Sequence, residues 1–334
     1  MTMRKSPNAT DRRSLLAIAV GSLAAPCIAR AQATAGDFPS RPLRLIVPFA
    51  PGGGTDLSAR IVMARVSQTI GQQVVVENRG GAGGDIAMLA AAAAPPDGYT
   101  LFYGNEGSNA RGVAMRDQMP LDPTRAFTGI ARIVFAWSAF AVHESIPART
   151  MNEFVAYARE RPGQMNYGSS GQGTLAHVAS SLFAHTRGLD MVHVPYRGAA
   201  LAMQDLIAGR LQFSFLTAGG LLPMLSAPSV RVLAVSGPKR SAAFPNAQTM
   251  TEAGIAELDI STWYGLFAPA GTPRPIADLL ARHVGNALAE PDLVARLDEQ
   301  SLIADFLPPE PFATYVTRQT ERWRDISART GIRL

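Results

Sequence analysis

Cysteine is nearly absent from this sequence: 334 residues contain one, Cys27. An internal disulfide is thereby excluded, and so is a zinc site built from several thiolates. Charged residues are also scarce, 17% against 47% hydrophobic, a balance that buries enough apolar surface to exclude disorder. No strict repeat runs through the chain, which excludes collagen-like and coiled-coil architectures. No apolar run reaches the roughly 20 residues of a membrane-spanning helix; the longest before Pro26 is about half that. The five histidines, His143, His177, His185, His193 and His283, never fall in H-E-x-x-H spacing, so no metal site is expected. Gly171-Gln172-Gly173-Thr174-Leu175-Ala176 lacks the third glycine of a dinucleotide fingerprint, and no loop ends in Gly-Lys-Ser/Thr. No nucleotide and no other cofactor is therefore expected.

The formal charge of +5 invites a nucleic-acid reading until the charges are located. Residues 1–33 hold Arg4, Lys5, Arg12, Arg13 and Arg30 against Asp11, and the rest of the chain has 26 basic and 25 acidic residues. No Lys/Arg cluster interleaved with aromatics remains beyond the leader, so nucleic acid is excluded as a partner. The leader is a basic segment through Arg12-Arg13, an apolar run Leu15 to Ala25, and small residues around Ala29-Arg30-Ala31 and Ala31-Gln32-Ala33. That is the pattern of an export signal cut after about residue 31 or 33, with the paired arginines suiting twin-arginine export as well as the general route. Pro26 precedes Cys27 where lipidation needs a small residue. Cleavage would remove Cys27, and an exported chain that needs no disulfide points to a bacterial periplasm.

Beyond the leader, strand-length apolar runs alternate with helix-period stretches, which predicts an α/β protein with mainly parallel sheets. Leu43 to Phe49, Gln73 to Glu77 and Tyr99 to Tyr103 are read as strands of a first lobe. The long apolar run Ala131 to Val142 is read as a strand crossing to a second lobe. There, strands are expected at Met165 to Tyr167, Met191 to Tyr196 and Leu211 to Leu216, with helices at 151–160 and 199–208. Helices at about 274–289, 291–300 and 311–329 close the chain. The expected organisation is a signal at 1–33, a first lobe over 34–140, a second lobe over 141–237, and a return to the first lobe over 238–334, with a cleft between lobes.

Three Gly/Ser/Thr-rich loops each lead from a strand into a helix: Gly52 to Asp56, Gly80 to Asp85, and Ser169 to Thr174. Helix starts present unpaired N–H groups and about half a positive charge, so such loops can hold a carboxylate or phosphate without a buried Arg or Lys. Alternatively each loop only turns the chain, with Asp56 and Thr174 capping helices. A carboxylate at Asp56 would repel an anion unless it caps the helix or meets an ammonium group. A hydrolase would have to use Ser169 or Ser170 as nucleophile with His177 as base. Seven residues of helix is about 10 Å of rise, and Gln172 stands where a nucleophile elbow needs glycine. A binding protein is expected to show no base within about 3 Å of either serine.

At these loops the sequence resembles the solute-binding subunits of tripartite tricarboxylate transporters, the Bug family. The resemblance covers about residues 38–334. It is carried by Phe49-Ala50-Pro51-Gly52-Gly53-Gly54-Thr55-Asp56, Glu77-Asn78-Arg79 with Gly81-Ala82-Gly83-Gly84, and Pro96-Asp97-Gly98-Tyr99-Thr100-Leu101. Asn166 to Gly173 with His177, Val194-Pro195-Tyr196-Arg197-Gly198, and Trp263 to Pro269 complete it. The resemblance implies a two-lobed, hinged periplasmic binding protein of Venus-flytrap architecture, not an enzyme, that closes on a small organic carboxylate and passes it to membrane subunits or a sensor. A monomer is expected. The residues expected to touch ligand are Phe49, Gly52, Gly53, Thr55, Asp56, Gly84 and Asn105 from the first lobe. From the second they are Ser169, Ser170, Gly173, Thr174, His177 and Tyr196. The sequence departs from the family pattern at Gly80, at Asp85-Ile86-Ala87 and over Asn105-Glu106-Gly107-Ser108-Asn109.

Overall fold

The computed structural model describes residues 1–2, 38–221, 228–237, 240–241, 244–258 and 260–334. Apart from Met1 and Thr2, the expected export signal and its cleavage site lie outside these residues.

The first sheet grows from β1 (Leu43–Val47), which pairs in parallel with β2 (Val74–Asn78) and β3 (Thr100–Asn105). Its side chains alternate between two buried layers, as a central parallel strand requires. Leu43, Leu45 and Val47 pack with Ala59, Val62 and Val66 of α1 (Gly54–Ile70), while Ile46 packs with Ala87, Met88 and Ala91 of α2 (Asp85–Ala92). A π-turn at Gly107–Arg111 follows β3, then the short helices α3 (Gly112–Met115) and α4 (Pro123–Ala126).

The apolar run then does what its length suggests. Phe127–Ala136 is β4 of the first sheet and Ser138–His143 is β5 of a second, with Trp137 at the crossing. The second unit continues with α5 (Met151–Arg159), β6 (Met165–Ser169), α6 (Leu175–Arg187), β7 (Met191–Pro195), α7 (Ala199–Ile207), β8 (Phe213–Thr217) and α8 (Ala218–Leu221). Strands β9 (Val230–Val235) and β10 (Gln248–Thr249) complete its sheet, in the order β10-β9-β5-β8-β6-β7. The chain returns through β11 (Thr262–Pro269), buried at every residue, and continues with α9 (Arg274–Leu288), α10 (Pro291–Asp298), β12 (Leu302–Leu307) and α11 (Pro309–Thr330). The first sheet has the order β12-β4-β11-β3-β1-β2.

Each sheet has a parallel nucleus, β2-β1-β3 or β7-β6-β8, and antiparallel pairs where the crossing strands enter: β11 against β3 and β4, β5 against β8 and β9. The sheets are therefore mixed, because a strand arriving from the other lobe runs against its neighbours. The lobe limits also move. The second sheet begins at Ser138, before residue 141. It is left after residue 238, since β10 still pairs with β9 and Met250, Ile255, Leu258 and Ile260 lie in the second core. Helix α11 belongs to both lobes: Phe312 packs with Trp263 and Phe267 of the first, while Trp323 and Ile326 fill the second core.

Candidate functional site

Three helices begin at one cavity between the two sheets, a space of about 730 Å³ including its opening to solvent. Helix α1 reaches it from the first lobe with Gly53, Gly54 and Thr55; α6 and α7 reach it from the second with Thr174, Leu175 and Ala176, and with Ala199 and Ala200. None of the three has a side-chain cap on its first N–H groups. In α1 the first backbone bond runs from Leu57 N–H to the Gly53 carbonyl, and in α6 from Val178 N–H to the Thr174 carbonyl. The preceding amides of α1 and α6 have no partner within their helices, and Gly54, Thr55, Leu175 and Ala176, with Ala199 and Ala200 of α7, line the cavity at the positive ends of helices 17, 13 and 9 residues long. Such an arrangement suits an anion.

Of the residues expected at the ligand, Phe49, Gly53, Thr55, Asn105, Ser170 and Thr174 line this cavity. Asp56 does not. Its carboxylate is 2% exposed and accepts from Gly52 N–H (3.0 Å), Arg60 Nε (3.0 Å) and Asn78 Nδ2 (2.8 Å). These partners hold its pKa below the ordinary carboxylate value although burial opposes them. The helix cap is Gly53, and Asp56 instead reaches back from the first turn to fasten Gly52. Thr174 is a cap by position, but its hydroxyl donates to the Gly171 carbonyl at 2.7 Å. Gly84 lies behind the wall, with Pro48 and Ser108 as neighbours. The loop Gly80 to Asp85 lends the cavity only Gly83, and the third helix start comes from α7, a helix expected from the sequence but not at the site. Tyr196 lines a more open recess that shares Phe49, Gly83 and Ser170 with the cavity, and its hydroxyl donates to Asp205. Gly83 has φ +66°, and a Cβ there would come within 2.7 Å of the Gln172 carbonyl across the cleft, so the lobes approach at that point only because it is glycine.

Ser169 has a base-type neighbour after all: its Oγ lies 2.7 Å from Nε2 of His193, not of His177. The pair is nevertheless wrongly set for attack. Ser169 is fully buried and its Oγ is also held by the Gly171 carbonyl (3.0 Å) and the Gly171 N–H (3.2 Å), an arrangement that assigns the hydroxyl proton to that carbonyl and the donor role in the 2.7 Å contact to His193. His177 stacks on His193 at 4.0 Å and accepts the Gly173 N–H at Nδ1 (3.1 Å), fixing the loop rather than lining the cavity. Burial, then the nearby His193 and Arg111, push the His177 pKa down to about 4. The unfolded chain thus takes up the His177 proton as pH falls below about 6.5 while the folded chain declines it until about 4. Stability is complete above that window and is lost on acidification through it. The expected loss is on the order of 2 kcal/mol after allowing for partial solvent access. Urea unfolding at pH 7 and pH 4.5 should show it, and His177→Gln should flatten the dependence.

Among the wall residues not expected from the sequence, one carries a charge. Arg111, with a side chain 2% exposed, reaches the cavity from the π-turn after β3. Its Nε donates to the Gly173 carbonyl of the second lobe (3.0 Å), Nη1 faces Glu106 (3.4 Å), and the guanidinium stacks over Trp323 at 5.1 Å. Glu106 is buried too and accepts the Trp323 indole N–H at 2.6 Å. Burial raises the pKa of Glu106 and lowers that of Arg111, and in each case the partner's charge opposes the shift. The segment read as departing from the family pattern, Asn105 to Asn109, contains Glu106 but stops short of Arg111. Among the described residues no group of three His, Cys, Asp or Glu side chains could hold a metal, and no helix is long and apolar enough to cross a membrane.

The family model described as the tripartite tricarboxylate transporter family receptor matches residues 58–332. The chain belongs to that family. The receptor is 36% identical over 293 residues to a UPF0065 protein from the tcbD-tcbE intergenic region of Pseudomonas sp. strain P51, covering 86% of each chain. Among solved structures it is similar to Rpa4515 of R. palustris with adipate (32% identity, TM-score 0.85) and to the periplasmic binding protein BugD (27% identity, TM-score 0.83). Each alignment covers 89% of this receptor and 99% of the other chain. The receptor is therefore a two-lobed solute-binding protein of a periplasmic family and not a hydrolase, in keeping with the buried Ser169.

Proposed function

We propose that the receptor captures a small organic carboxylate between its lobes and delivers it to the membrane subunits of a tripartite transporter. The convergence of three uncapped helix starts on one cavity supports this reading most directly. Backbone amides at helix N-termini carry the charge complement of a carboxylate with no counter-ion to displace. The adipate bound to the R. palustris relative is a ligand of this class. Asp56, with its oxygens engaged by Gly52, Arg60 and Asn78, leaves the cleft free of an exposed negative charge. Export by the leader and action as a monomer complete the proposal.

Ala199→Pro is the sharpest test of the helix starts. Position 199 opens α7, the preceding Gly198 is extended (φ 166°, ψ 158°), and proline is at home in a first helical position. The substitution deletes one amide donor and keeps the helix. Carboxylate affinity by calorimetry should fall about tenfold, the worth of one hydrogen bond to a charged group, with the melting temperature unchanged. Unchanged affinity would show that α7 only turns the chain.

A further inference from the structure

Arg111 is held on two sides and open on a third. Nε is spent on Gly173 and Nη1 on Glu106, whereas Nη2 has no hydrogen-bond acceptor among the described residues. A guanidinium carries five N–H donors, and one 98% buried ordinarily satisfies them. Nη2 lies against Gly107, itself a wall residue of the cavity: a Cβ at position 107 would stand 2.9 Å from it. Behind the guanidinium, Glu106 is not part of the wall and has its own oxygens committed to Trp323 and Nη1. The ring of Trp323 supports the guanidinium plane, so the group is fixed before any ligand arrives.

We infer that Arg111 is a specificity-determining residue whose free Nη2 receives a second acidic group, so that the receptor selects dicarboxylates over monocarboxylates. The inference rests on the carboxylate reading given above, with the helix starts taking one acidic group and Arg111 the other. Planar N–H donors match a carboxylate, and a charge-assisted bond in a closed, water-poor cleft is about twice as strong as a neutral one.

The test compares glutarate with valerate and adipate with hexanoate by calorimetry, on the exported, mature protein. The wild type should bind each diacid at least about tenfold more tightly than the monoacid of equal length. In the double variant Glu106→Gln, Arg111→Met, which removes both charges and keeps an acceptor for Trp323, that ratio should fall to within about threefold of one. A folded double variant that keeps the full ratio, or a wild type with no preference, overturns the inference while leaving the carboxylate reading intact. A wild type that binds none of the four acids overturns both. If the double variant does not fold by circular dichroism, Gly107→Ala serves instead. It keeps every charge and presses on Nη2, and the ratio should drop at least about threefold; an unchanged ratio counts against Arg111.

Discussion

Replacing Trp323 with alanine is expected to remove about 5 kcal/mol of unfolding free energy. Trp323 is fully buried in the second core, where truncating a large aromatic costs about 3–5 kcal/mol in lost contacts and residual cavity. Its indole N–H is also the donor to the buried Glu106 carboxylate at 2.6 Å, and stranding that acceptor costs on the order of 1–3 kcal/mol more. A loss of this size is a large share of the 5–15 kcal/mol that holds an ordinary domain together. Trp323→Phe separates the two contributions, because it keeps most of the packing and drops only the hydrogen bond. It should cost about 2 kcal/mol. Urea unfolding followed by circular dichroism reads both, and a loss below about 2 kcal/mol for the alanine variant would mean that α11 merely rests on the second lobe.

Glu106→Ala should cost about 4 kcal/mol, for an electrostatic reason rather than a packing one. The single substitution leaves the Arg111 guanidinium buried without its counter-charge, and breaking a buried pair by removing one partner costs about 3–5 kcal/mol. Removing both charges should be cheaper than removing one. The double variant Glu106→Gln, Arg111→Met is expected to regain about 2 kcal/mol or more relative to Glu106→Ala, since no ion is then stranded and Trp323 keeps an acceptor. Equal losses in the single and double variants would show that the pair contributes through packing alone.

Much of the frame was legible because its signals are local. The Leu43 to Val47 run, the glycine-rich exits and the helix periods at 151–159, 199–207 and 274–288 each express burial or backbone freedom within a few residues. The run Ala131 to Val142 even announced the crossing, although not that the sheet changes at Trp137. Strand β12 went unread because it pairs only with β4 at the sheet's edge and only Leu302 is fully buried, so no apolar alternation marks it. Arg111 went unread for a geometric reason. In an α-helix, residues five apart point about 140° away from each other, and Glu106 with Arg111 would not pair. The π-turn at Gly107–Arg111 widens the helix so that five residues make little more than one turn. Its other partner, Trp323, lies 217 residues from Glu106 in sequence, beyond the reach of any periodicity.

The second core takes residues from as early as Ala114 and as late as Ile326, with Trp323 among them. A ribosome-bound chain therefore cannot finish that lobe, however long its middle portion has been available. Completion waits for the last helix to be released, and until then the second core lacks Trp323 and Ile326. In the cell this places folding after synthesis rather than alongside it, and leaves a period in which a chaperone has an unfinished hydrophobic surface to guard.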